Sequence, residues 1–221
     1  MHGINARYLW PRATMAALDW SLFHALNGFL RGDDAAQDAV EIVNAWAIVA
    51  LAAAVGLAWL WTTPGRLSSA RLAVASAALS APLGLLVNAI LGRVWYHPRP
   101  FVDHPRETVL LVRHAADNSF PSDHATVAFA IAFSVLAFHR RLGLAFLAAA
   151  IAVAVVRVLV GVHYPVDVGA SALVAAGSTA VVVTVGRPWV VRLASLGSRI
   201  SDPLLSAATR RIVRARRSAR R

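Results

Sequence analysis

The chain has 221 residues, of which 58% are apolar and only 15% charged, with a formal net charge of +11. Soluble domains average about 45–50% apolar and about 25% charged, so this balance excludes an ordinary soluble globule and points to one domain with several membrane crossings. All 22 basic residues are arginine and cysteine is absent, which excludes a disulfide framework and thiolate metal sites.

A crossing helix needs about 20 apolar residues. The first run, 14–30, is broken by Asp19, His24 and Asn27 and lacks the cleavage site of a signal peptide. It is read as a crossing because the charge pattern below needs an even count. Runs 41–61 and 70–91 meet the length with little interruption. The segment that follows, 92–124, reads GRVWYHPRPFVDHPRETVLLVRHAADNSFPSDH and carries four histidines and four arginines. Run 122–138 is shorter, and Pro121 and Ser122 mark its start, Ser122 as an N-cap. Runs 142–160 and 166–186 complete a set of six, and between Arg141 and Arg187 the only charged residues are Arg157 and Asp167. The tail, 188–221, is rich in arginine with Leu, Ile and Val between the charges, and predicts a helix on the membrane surface.

Arginine placement orients the set. With the tail cytoplasmic, Arg7, Arg12, Arg66, Arg71, Arg140 and Arg141 all fall inside, while Asp33, Asp34, Asp103, Glu107 and Asp117 fall outside. Trp10, Trp59, Trp61, Trp95 and Trp189 mark interfaces. The expected fold class is therefore all-α: a polytopic integral membrane protein, a six-helix transmembrane bundle with its active site near the outer face. Residues 1–187 would form one embedded domain and 188–221 a cytoplasmic tail. The arginines are not interleaved with aromatics as a base-stacking surface requires, so the charge predicts anchoring to anionic lipid and no nucleic-acid partner.

Polar groups at membrane depth are costly and by default mark function. His163 and Asp167 are four apart, and Pro165 suits the first turn of a helix between them. The carboxylate would orient one imidazole nitrogen and leave the other free to attack; a capping Asp beside an interfacial His is the plain alternative. Ser122, Asp123 and His124 open the 122–138 helix with free amides, a place for an anion, or else a simple N-cap. Arg99 lies between two prolines, and Arg157 near the outer end of its run; both present the fork that matches phosphate oxygens. Snorkelling is the ordinary explanation for Arg93 and a poorer one for Arg157.

These residues resemble the signature of the type 2 phosphatidic acid phosphatase superfamily. Its first part, Lys, six residues, Arg-Pro, corresponds to GRVWYHPRP ending at Arg99-Pro100; its second, Pro-Ser-Gly-His, to PSDH at 121–124; its third, Ser-Arg, five residues, His, three residues, Asp, to Arg157, His163 and Asp167. WSLFHALNG, HAADNSFPSDHAT and GVHYPVDV look most like the bacterial undecaprenyl-diphosphatases of the bacitracin-resistance type. Gly92 departs from the signature lysine, with Arg93 one place later; Asp123 replaces glycine and Val156 replaces serine. The resemblance implies that His163 attacks the terminal phosphorus, Asp167 orients it, and His124 protonates the leaving oxygen and then activates water. It implies that Arg99, Arg157, Ser122, Arg93 and the Asp123 amide hold the phosphate, and that no metal or other cofactor takes part. It implies a polyprenyl diphosphate or other lipid phosphate as substrate, cleaved at the outer face of a bacterial cytoplasmic membrane. Another lipid phosphate, phosphotransfer to an acceptor other than water, a metal-carrying membrane protein built on the outward histidines, and a non-catalytic scaffold using the tail remain as competing readings.

Overall fold

In the computed structural model, residues 13–60, 62–65 and 67–218 are described. Arg7, Trp10, Arg12, Trp61 and Arg66 fall outside them. The described chain is all-helical: α1 (Ala13–Gly28), α2 (Asp34–Leu60), α3 (Ser69–Val94), the single turn α4 (Pro100–Asp103), α5 (Asp123–Phe138), α6 (Arg140–Leu159), α7 (Pro165–Thr184) and α8 (Arg187–Ser218).

Four helices, α2, α3, α6 and α7, are long and apolar enough to cross a bilayer. Their surfaces agree with a lipid solvent, with Ile42, Trp46, Val49, Leu57, Leu86 and Leu173 exposed. This is a multi-pass membrane protein. The shorter α5 is the inner helix. Ala125, Ala128, Phe129, Ala130, Ile131, Ala132 and Val135 are all buried, against Ala73 and Ala77 of α3 and Phe146, Ala150 and Val153 of α6. Alanine at the contacts brings backbones close, which suits helices that gain no hydrophobic energy from leaving lipid. His139 alone separates α5 from α6, closing α5 and accepting the Leu142 amide as the cap of α6.

At the opposite end from the PSDH segment, α8 packs on α3. Val190 and Ala194 are buried against Ala75 and Val182. Arg71, fully buried, donates from Nη2 to Asp202 Oδ1 at 2.5 Å and from Nη1 to Ser198, and its guanidinium lies 5.4 Å from the Trp59 ring centroid. A buried guanidinium is tolerated only when its charge and donors are met; here α8 meets the charge and both Nη groups, and Thr62 accepts from Nε.

Helix α1 has 16 residues, about 24 Å at 1.5 Å per residue, against about 30 Å of bilayer hydrocarbon. Asp19 and Asn27 face neighbours rather than lipid. Asp19 accepts the Val166 amide at the start of α7. Asn27, fully buried, donates to Val109 and Leu159 carbonyls and accepts the Val109 amide. Trp20 stacks on His104 with centroids 3.6 Å apart. Each of these partners lies at a helix end or in a connection, so residues 19–27 fasten the 104–111 strap over the junction of α6 and α7. Leu111 N–H completes that fastening by donating to the Val160 carbonyl.

Candidate functional site

The site forms where α5 and α7 begin and α6 ends. Pro121 is followed by Ser122, whose hydroxyl accepts the Ala125 amide as N-cap of α5. Tyr164 caps α7, with Pro165 at its first position and Asp167 accepting the Tyr164 amide at 2.8 Å. His163 thus lies in the connection before the helix, not on its first turn. The connection turns at Gly161, whose φ is +84° and where a Cβ would stand 2.5 Å from the Val109 carbonyl oxygen. Both facts require glycine there.

Asp167 is fully buried and gathers donors. His97 Nδ1 donates to Oδ1 at 2.8 Å, because a carboxylate can only accept. The Ser119 hydroxyl donates to Oδ2 in a very short bond. His163 Nδ1 stands 3.6 Å from Oδ2 and 3.3 Å from Ser119 Oγ. Since Ser119 gives its proton to the carboxylate, its lone pairs accept from His163 Nδ1–H. His163 Nε2 then carries the free lone pair, 3.4 Å from Arg99 Nη1, a group that can only donate. Asp167 stays within ion-pair distance of His163, as the sequence placed it, and the Ser119 hydroxyl touches both groups. Burial, then the nearby Arg157 and Arg99 charges, push the His163 pKa down to about 4 against the pull of Asp167, so the imidazole is neutral at physiological pH.

Arg99, nearly buried, is braced on three sides. Nε donates to Asp117 at 2.7 Å, Nη1 to the Val162 carbonyl at 2.9 Å, and Nη2 to the Asn118 carbonyl. Although burial opposes it, the Arg99 bond holds the Asp117 carboxyl below its usual range. Arg157 donates from Nη1 to Asn44 Oδ1 at 2.7 Å, yet its buried Nε has no partner. Such a donor, 3% exposed, is costly unless an acceptor arrives. His124 lies exposed on the first turn of α5, within electrostatic reach of Arg157, His163 and His114. Asp123 turns its carboxylate aside to Asn88 Nδ2 of α3 at 2.8 Å, leaving its amide at the helix start. Position 92 faces Asn118 and the Phe120 carbonyl, while Arg93 is exposed on the last turn of α3.

The structure therefore brings Arg99, Arg157, Ser122, Asp123, His124, His163 and Asp167 to one end of the bundle, and places Arg93 at its exposed rim. Sequence reasoning missed His97, Ser119, Asn118, Asp117 and Asn44. His97 and Ser119 fall inside quoted stretches, but nothing in their spacing from Asp167 points to contact. His114, just beyond the strap, has its ring centroid 6.5 Å from that of His163. A cavity of about 440 Å³ adjoins His97, bounded by Asp19, Trp20, Asp103 and Tyr164, and does not include Arg157 or His163. Among the described residues, no group of three or more His, Cys, Asp or Glu could hold a metal ion.

Residues 71–190 match the family described as PAP2 superfamily. The chain belongs to that superfamily. This member is a membrane phosphatase, and two relatives carry a more specific name. It is 34% identical over 158 residues to undecaprenyl-diphosphatase BcrC of Bacillus subtilis strain 168, covering 72% of this chain and 79% of the relative. It is 36% identical over 133 residues to the putative undecaprenyl-diphosphatase YbjG of Escherichia coli K12, 60% of each chain. Its fold is similar to the crystal structure of Aquifex aeolicus LpxE, with a TM-score of 0.61 at 20% identity, covering 74% of this chain and 93% of that one.

Proposed function

We propose that this PAP2 phosphatase hydrolyses undecaprenyl diphosphate to the monophosphate through a phosphohistidine on His163, recycling the lipid carrier of cell-wall synthesis. The observation that carries the reading is the unpartnered, buried Nε of Arg157 together with the unprotonated Nε2 of His163, which faces the Arg99 guanidinium. In the first step Nε2 bonds to the terminal phosphorus as the bridging P–O bond breaks. His124 gives its proton to the departing lipid phosphate. In the second, His124 takes a proton from water, the water oxygen bonds to phosphorus, and the P–N bond breaks. Arg99, Arg157, Ser122 and the Asp123 amide hold the equatorial oxygens, and Arg93 completes the set at the rim. Fixed donors aimed at that charge are the usual source of catalysis in phosphoryl transfer.

The names of the BcrC and YbjG relatives support a polyprenyl diphosphate over other lipid phosphates. An apolar groove of about 410 Å³ between α2 and α6 supports a lipid-borne substrate. At the end of the groove nearest the site, Val43 lies next to Asn44 and Val153 one turn from Arg157. We further place the site at the outer face of the cytoplasmic membrane, with six crossings, residues 1–187 as the catalytic unit and 188–221 as an inner tail.

The test is phosphate release from a panel of lipid phosphates by the purified protein with chelator present. The expected result is preference for undecaprenyl diphosphate, inhibition by vanadate, and loss of turnover in His163→Ala with the protein still folded. Turnover that needs a divalent ion and survives His163→Ala would overturn the mechanism; preference for phosphatidate would overturn the substrate.

A further inference from the structure

The Asp167 carboxylate is held from both sides. Oδ1 takes the proton of His97 Nδ1 at 2.8 Å, and Oδ2 takes those of Ser119 and the Tyr164 amide. His97 and Ser119 are moreover one backbone unit. The Ser119 amide donates to the His97 carbonyl at 2.8 Å, and the His97 amide donates to Asn118 Oδ1 at 2.9 Å. The Tyr164 ring packs on the His97 imidazole with centroids 4.7 Å apart. His97 is thus built into the site as firmly as Ser119, although the signature of the family resemblance does not include it.

We propose that His97 is a positioning residue for the His163 nucleophile, acting through Asp167 and Ser119. Its Nδ1–H fixes the plane of the carboxylate. That plane presents Oδ2 to the Ser119 hydroxyl, and the serine lone pair then takes His163 Nδ1–H and leaves Nε2 free. By occupying Oδ1, His97 also draws off negative charge that would otherwise favour a protonated His163. Asp167 from α7, Arg157 from α6, Arg99 at the start of α4, and His124 and His114 face His163; Asp19 from α1 faces His97. This rests on the reading of His163 as nucleophile.

The experiment uses the full chain in detergent or nanodiscs with undecaprenyl diphosphate, comparing His97→Ala, His97→Asn and His97→Gln. An Asn amide nitrogen takes the place of Nδ1, whereas a Gln amide reaches the place of Nε2. His97→Ala is expected to lower kcat by about 10–100-fold, the usual effect of an outer partner that orients a functional histidine. KM should change little, and the acid limb of the pH profile should move upward. His97→Asn should recover most of the rate and His97→Gln little of it. Unchanged kcat and acid limb in folded His97→Ala, or Gln matching or exceeding Asn, would overturn the proposal. If the Ala variant does not fold, the Asn–Gln comparison decides alone. His163→Ala run alongside separates the two readings: an active His163→Ala sinks the phosphohistidine, whereas a dead one beside normal His97 variants sinks only the role of His97.

Discussion

Arg157 keeps an Nε–H buried and unpartnered while Asn44 holds its Nη1. A lysine could meet Asn44 or an anion, but not both in one plane. Arg157→Lys is therefore expected to lower kcat by about 10²–10³, as for loss of one fixed donor to the transition state; a rate within threefold of the parent would show that Nε does not face the phosphate. The neutral state of His163 has its own consequence. Burial and the two arginines depress its pKa from 6.5 to about 4, so the lone pair that the proposed attack needs persists down to that pH. Protonation removes it, so activity should be lost as pH falls through the depressed value. The acid limb of kcat/KM, which reports the free enzyme, should therefore lie near about 4 rather than at 6.5. An acid limb centred at 6.5 would mean that the imidazole is not held in this environment.

At the scale of elements, the α6–α7 connection positions His163, the proposed nucleophile. Gly161 turns it, Val109 of the strap packs into the space a side chain would fill, and the next carbonyl, Val162, accepts from Arg99. Gly161→Ala would force a left-handed φ on alanine, costing about 1–2 kcal/mol, and push on the Val109 carbonyl as well. We expect a lower thermal midpoint and a larger fall in kcat than in stability, since His163 moves with the turn. Gly169→Ala on α7, which has open space at its Cβ, is the control and should be neutral or stabilising. A Gly161→Ala protein with parental midpoint and rate would show that the turn has slack.

At the scale of the whole molecule, the absence of cysteine makes the orientation directly testable. Ala116→Cys beside the site should react with a membrane-impermeant maleimide in intact cells or spheroplasts. Arg199→Cys on α8 should react only after permeabilisation. Asn5→Cys decides α1: protection places the N-terminus with the tail and supports six crossings, whereas labelling from outside removes the sixth. The membrane class, the starts of α5 and α7 and the family signature were legible in the sequence, because apolar run length, Pro-Ser and Tyr-Pro junctions and short motifs are local properties. The role of Asp19 and Asn27 was not: both read as flaws in a crossing helix, and both turned out to bond backbone groups far along the chain. The same holds for Ser119 between Asp167 and His163, for His97 on the far carboxylate oxygen, and for Arg71 held by Asp202. Composition and run length determined that this chain enters a membrane, and short motifs carried the family resemblance. Only the tertiary structure decided which polar group meets which, because hydrogen bonds between residues tens of positions apart depend on how helices pack, and no local pattern records that.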